Sequence, residues 1–225
     1  MSRNFDRSTA AMTRRGFLEA ASAVGAVALG GVTLTGTASP AAASSATAQK
    51  IADHFSSVKS MTGEFVQFGP KGEQTGGKFF MERPGKIRFN YEQPSSFRVV
   101  SDGESVVILN RKMNTSDLYP LSKTPLKLLL DERIDVSGDR VRKVIEDDDL
   151  TTIVMSDKQV FGNAEITMMF DPTTFELRQW TIKDAQGKDT TVMIYNVQQG
   201  VRFAADTFKI DYAHNRKVNQ KNTNR

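Results

Sequence analysis

The chain has 225 residues, with 30 Lys and Arg against 26 Asp and Glu, two His and no Cys. The missing cysteine excludes disulfides, thiolate nucleophiles and an acylated N-terminal cysteine, and two histidines leave little for acid–base or metal chemistry. Removing the four Arg, one Asp and one Glu of residues 1–43 leaves 26 basic against 24 acidic residues, so the mature chain is nearly neutral. Outside the tail, where Arg216, Lys217, Lys221 and Arg225 lie among Asn and Gln, basic residues alternate with acidic ones. That pattern predicts no basic stripe and argues against a nucleic-acid surface.

Residues 1–43 read as a cleaved export signal. Thr13-Arg14-Arg15-Gly16-Phe17-Leu18 matches the twin-arginine pattern, and a small-residue apolar segment from Ala20 to Leu34 follows it, too short to span a bilayer. Ala41-Ala42-Ala43 supplies a cleavage site, so the expected product is a periplasmic protein starting near Ser44. Residues 44–212 suit one domain with one core, and residues 213–225 read as a basic, flexible tail.

In chain order, Ala48, Ile51, Ala52, Phe55 and Val58 recur at helical spacing and predict an N-terminal helix with His54 on its polar side. After Met61-Thr62-Gly63 the period changes to two, predicting strands at 64–68, 78–82, 86–92, 97–101 and 105–109 with turns at Gly69-Pro70, Pro84-Gly85 and Asp102-Gly103. Thr124-Pro125 reads as an N-cap with proline at the first helical position, and Leu126, Leu129 and Leu130 form the apolar face of a short helix that needs tertiary packing. Strands resume at 140–145, 151–155, 164–170, 176–183 and 190–197. About ten strands with one long and one short helix predict a mainly β (α+β) fold: a strongly curved antiparallel sheet, an incomplete β-barrel, with helices over its concave face.

Several motifs have bland explanations. Gly72-Glu73-Gln74-Thr75-Gly76-Gly77-Lys78 has phosphate-loop spacing, but Phe79 follows where a hydroxyl is needed and a strand follows where a helix is needed, so it reads as a hairpin turn. Asp147-Asp148-Asp149 lacks calcium-loop spacing and reads as a solvated turn. No acid–base pair, metal site or cofactor site is expected, and the chain does not read as an enzyme.

One residue stands out. Phe79, Met81 and Arg83 share a strand face, which puts a guanidinium on the apolar side, where it needs buried partners. Carbonyls at the end of a covering helix would serve. Met81, Met113, Met168, Met169 and Met193 are expected to suit a cavity that adapts to flexible chains.

The block Phe80-Met81-Glu82-Arg83-Pro84-Gly85, with Ser101-Asp102-Gly103 and Thr124-Pro125-Leu126-Lys127-Leu128-Leu129-Leu130 downstream, resembles the LolA family of periplasmic outer-membrane lipoprotein carriers. The resemblance implies a hydrophobic cavity for acyl chains walled by Phe65, Phe79, Met81, Ile87, Phe89 and Tyr91. It also implies a lid carrying Leu126, Leu129 and Leu130, with Arg83 as its latch. Implied partners are lipoproteins, an inner-membrane ABC-type release complex and a LolB-like outer-membrane acceptor, for a monomer without cofactors. A related lipid sensor or envelope-stress module that transfers no lipoprotein stays open as an alternative. Thr207-Phe208-Lys209-Ile210-Asp211-Tyr212 resembles the family's late strand, without the proline-rich segment usual after it.

Overall fold

A computed structural model describes residues 40–136 and 140–223. The twin-arginine segment lies outside the described residues, and the expected cleavage point near Ser44 falls inside the first helix, α1 (Pro40–Ser57). From there the chain runs β1 (Ser60–Phe68), β2 (Gln74–Glu82), β3 (Lys86–Tyr91), β4 (Phe97–Asp102), β5 (Ser105–Asn110) and β6 (Thr115–Pro120). A 3₁₀ turn at Leu121–Lys123 leads into α2 (Leu126–Leu130), followed by β7 (Val141–Glu146), β8 (Thr151–Ser156), α3 (Lys158–Phe161), β9 (Glu165–Phe170), β10 (Leu177–Lys183), β11 (Asp189–Gln199) and α4 (Tyr212–Thr223).

Among the described residues, all eleven strands form one open, curved antiparallel sheet, ordered β6-β5-β4-β3-β2-β1-β11-β10-β9-β8-β7. One non-sequential pairing, β1 with β11, joins two meanders; every other neighbour is also a neighbour in sequence. Strand β6 was not predicted, because Ser116, Asp117 and Pro120 break the apolar alternation. Proline at its end is tolerated because β6 is an edge strand.

The period-two pattern sorts side chains to two faces. Phe65, Phe79, Met81, Ile87, Phe89, Ile153, Met168, Phe170 and Trp180 fill the inner face, together with Ala48, Ile51, Ala52 and Phe55 of α1 and all four leucines of α2. Of the five methionines expected in a cavity, only Met81 and Met168 face inward and are buried. Met113 and Met193 are 69% and 44% exposed. Met193 lies between inward Val192 and Ile194, and Met169 beside inward Met168, so strand parity turns both outward.

The C-terminal segment also departs from expectation. Thr207–Tyr212 forms no strand; residues 201–211 run as an irregular strap across the outer face of β2–β5, and α4 replaces the expected flexible tail. Phe203 packs against Phe80 and Phe208, Ile210 joins Val100 and Val107 in a small outer core, and buried Asn215 accepts a 2.6 Å hydrogen bond from Ser116 Oγ on β6. Phe203 and Ile210 give this segment of sparse apolar residues its partners on the sheet.

Candidate functional site

Two structures meet on the inner face: a polar clasp at the β2–β3 turn and an apolar cavity between β3–β5 and β10–β11. The clasp begins with Arg83, just beyond β2, in register with Phe79 and Met81 and 6% exposed. Its Nη1 donates to the carbonyl oxygens of Leu129 at 2.6 Å and Asp131 at 2.7 Å, at the C-terminal end of α2. A helix end leaves such carbonyls without intrahelical partners and carries partial negative charge, so a guanidinium is a fitting partner. The Phe55 ring of α1 lies 4.3 Å from Arg83 Cζ, so one cation touches both covering helices.

The backbone completes the clasp. Gly85 N donates to Leu130 O at 2.8 Å, so the Arg83-Pro84-Gly85 turn engages the carbonyls of Leu129, Leu130 and Asp131 in succession. Gly85 has φ +79°, and a Cβ there would stand 2.7 Å from Gly103 Cα. The close passage of these two glycines lets Ser101 Oγ donate to Gly85 O at 2.7 Å. Ser101-Asp102-Gly103 therefore buttresses the turn that holds α2, and Asp102 also accepts from Tyr212 OH at 2.7 Å, which ties the strap to the same corner.

Arg83 is held at a cost. Burial, partly offset by Asp131, brings its pKa down to about 10 from 12.5. A displacement of that size corresponds to about 3 kcal/mol against the charged form. Its Nε and Nη2 are buried without hydrogen-bond partners. Access of water to those atoms would recover part of this penalty.

The α2 end itself differs from the predicted cap. Thr124 Oγ1 donates back to Leu121 O at 2.9 Å instead of accepting from the helix, and Pro125 stands at the N-cap without a side-chain bond. Leu128, not predicted on the apolar face, is buried along with Leu126, Leu129 and Leu130. Only Lys127 of the five-residue helix keeps contact with solvent.

The cavity beside α2 has a volume of about 450 Å³. Phe89, Tyr91, Val99, Ile108, Trp180 and Leu126 supply much of its apolar lining, with Gln67, Glu73 and Thr190 also reaching it. Its aromatic wall is ordered: Phe65 meets Phe89 and Tyr91 edge-on at 4.9 and 5.1 Å, and Phe89 lies 6.2 Å from Trp180. Tyr91 OH donates to Gln67 Oε1 at 2.7 Å, and burial raises its pKa to about 12, so the phenol stays neutral and its part of the wall uncharged.

Of the six residues expected to wall a cavity, Phe89 and Tyr91 line this one. Phe65, Phe79, Met81 and Ile87 are 0–1% exposed and closed into the core with α1 and α2. They lie where space would appear only if the helices lifted. Trp180, Ile182 and Val192 of the second meander were missed as cavity residues. The alternation Trp180/Ile182 on β10 was a signal for them, but only the β1–β11 pairing brings them opposite β3–β5.

Among the described residues, no group of three or more His, Asp or Glu could hold a metal ion. No described helix is long and apolar enough to cross a membrane.

Residues 56–211 match the family described as outer membrane lipoprotein carrier protein LolA. An outer-membrane lipoprotein carrier protein of Methylobacillus flagellatus is 27% identical over 173 residues, spanning 69% of this chain and 80% of that one. Another from Cupriavidus necator is 26% identical over 181 residues, spanning 73% and 83%. A LolA superfamily protein from Nitrosomonas europaea superposes with a TM-score of 0.41 at 10% identity, over 72% of this chain and 98% of that one. With a match running from the end of α1 to the strap, this chain belongs to the LolA family of outer-membrane lipoprotein carriers.

Proposed function

We propose that this protein is a periplasmic carrier that takes lipoprotein acyl chains from an inner-membrane ABC-type release complex and delivers them to an outer-membrane acceptor, with Arg83 as the latch of its lid. Export by the twin-arginine route, followed by cleavage, would place the mature chain in the periplasm. The observation that carries the reading is the clasp of Arg83 on the terminal carbonyls of a leucine-rich helix, beside an apolar cavity.

The energetics fit a cover that must be both closed and releasable. At about 0.8 kcal/mol per buried methylene, ten methylenes gain roughly 8 kcal/mol. That is on the order of what burying the four leucines of α2 provides, at about 2 kcal/mol each. An acyl chain that displaces α2 therefore exchanges one apolar contact for another. What distinguishes the two states is the polar clasp, which burial already penalises. Small differences in cargo or partner then suffice to move the equilibrium.

The closed cavity has room for on the order of fifteen water-sized groups, about one acyl chain. A cargo with several chains must therefore lift α1 and α2 and use the face lined by Phe65, Phe79, Met81 and Ile87. The same volume favours, as a second reading, a sensor of single-chain lipids that never opens further.

Mass spectrometry of material copurifying from the native envelope with the wild-type protein and with Arg83→Leu separates these readings. Lipoproteins on both, enriched on Arg83→Leu because the unlatched form retains cargo, support the carrier. Free single-chain lipid on both, with no lipoprotein, would transfer the assignment to the sensor. Lipoproteins on the wild type with no enrichment on Arg83→Leu would refute the latch while leaving the carrier.

A further inference from the structure

On the outer face, away from clasp and cavity, three arginines form a diagonal stripe. Arg88 pairs with Val100, and Arg98 pairs with Asn90 on one side and Leu109 on the other, so Arg88 and Arg98 are diagonal neighbours across β3 and β4. Arg111, two residues beyond Leu109, continues the diagonal, its N–H donating to Ser96 O at 3.1 Å. Diagonal neighbours on one face stand about 7–8 Å apart, within the reach of arginine side chains toward a common point. In the sequence these residues alternate with acidic ones, which is why no stripe was expected; the register collects them.

Three features set the stripe apart from scattered surface charge. Arg88 is held in place, Nε donating to Asn90 Oδ1 at 2.9 Å and Nη1 to Thr207 O of the strap at 2.9 Å. Arg98 is half-buried, and its Nε is shielded from solvent with no acceptor. Third, no ion pair reaches any of the three among the described residues, and the charges acting on Arg98 are those of Arg111 and Arg88. The carboxylates beside the stripe are Glu92, two residues past the Asn90 that faces Arg98, and Asp206 of the strap, next to the Thr207 that Arg88 bonds; neither forms an ion pair with it. Burial and mutual repulsion together hold the Arg98 pKa below its ordinary value.

We propose that Arg88, Arg98 and Arg111 form a site for an oxyanion of the phosphate class, supplied either as free phosphate or as the phosphate of a phospholipid headgroup. Guanidinium forks match phosphate oxygens two by two, and a multiply charged tetrahedral anion can engage several forks at once. Its position on the outer face keeps such an anion clear of α2, so occupancy of the site does not depend on the carrier reading.

The test measures thermal stabilisation of the purified protein by sodium phosphate against sodium chloride at equal ionic strength. Flotation with phosphatidylglycerol–phosphatidylethanolamine vesicles is run against phosphatidylcholine vesicles. The expected result is a saturable, phosphate-specific response, or binding to the anionic vesicles alone, weakened about ten-fold or more in Arg98→Gln and Arg111→Gln. A response to free phosphate without vesicle binding identifies a small anion as the ligand, and vesicle binding identifies the headgroup. Because the substitutions relieve like-charge repulsion, the unliganded variants should melt at the wild-type temperature or above. Responses that follow ionic strength alone, that survive both substitutions, or that vanish because the variants lose their fold would overturn the site.

Discussion

Two helices cover opposite faces of the first meander, and they are fastened in opposite ways. Helix α2 is five residues, four of them buried leucines, held at one end by a buried cation on backbone carbonyls. Helix α4 is twelve residues with few apolar side chains, fixed by side-chain bonds without a buried cation: Ser116 donates to Asn215, and Tyr212 at its start donates to the Asp102 carboxylate. The inner cover thus combines a large, exchangeable apolar term with a polar contact that burial disfavours. The bonds of the outer cover leave none of their own side-chain donors buried without a partner. The two covers differ in whether their polar contacts leave buried donors unsatisfied: those of α2 do, at Arg83 Nε and Nη2.

The largest expected effect comes from the core beneath α2. Phe79→Ala should cost about 3–5 kcal/mol in denaturant unfolding, and its amide exchange should rise more at α2 than at α4. Equal acceleration of both helices would show that they unfold as one unit.

Next, alkaline unfolding tests the neutral phenol of the cavity wall. The Tyr91 pKa is raised to about 12 from 10.0, so its contribution is full below pH 10 and lost as pH rises toward 12, about 3 kcal/mol in all. Tyr91→Phe should flatten that decline. An unchanged profile would assign the decline to other groups.

Gly85→Ala should follow, at about 2 kcal/mol or more, since it forces a side chain into φ +79° and against Gly103. Hydrogen exchange should report the loss at α2. Arg83→Leu should change the thermal midpoint little, because replacing a buried cation by an apolar side chain is often neutral. It should nevertheless speed α2 exchange about ten-fold or more while leaving α4 alone. A slower α2 would reverse the latch argument. The most local effect is expected from Ser116→Ala, about 1–2 kcal/mol for leaving Asn215 Oδ1 buried without its donor, seen at α4 alone.

Much of this was legible along the chain. Ala48, Ile51, Ala52 and Phe55 announced α1 through their spacing, and the parity of Phe79, Met81 and Arg83 placed a guanidinium inward before any partner was known. Strand β6 and α4 were not legible. Each depended on which neighbour the segment met rather than on its own composition.

The sequence by itself determined what is local: the period of each element, the turns at Gly and Pro, and the face each strand residue takes, because backbone geometry alone assigns side chains to alternate sides. Tertiary structure decided what required distant segments to meet. Arg83 found the carbonyls of residues 129 and 131, Trp180 came to face Phe89, and three arginines separated along the chain became one stripe. Pairing of β1 with β11 and the register of each strand pair set those meetings, and register is an outcome of packing a whole face at once.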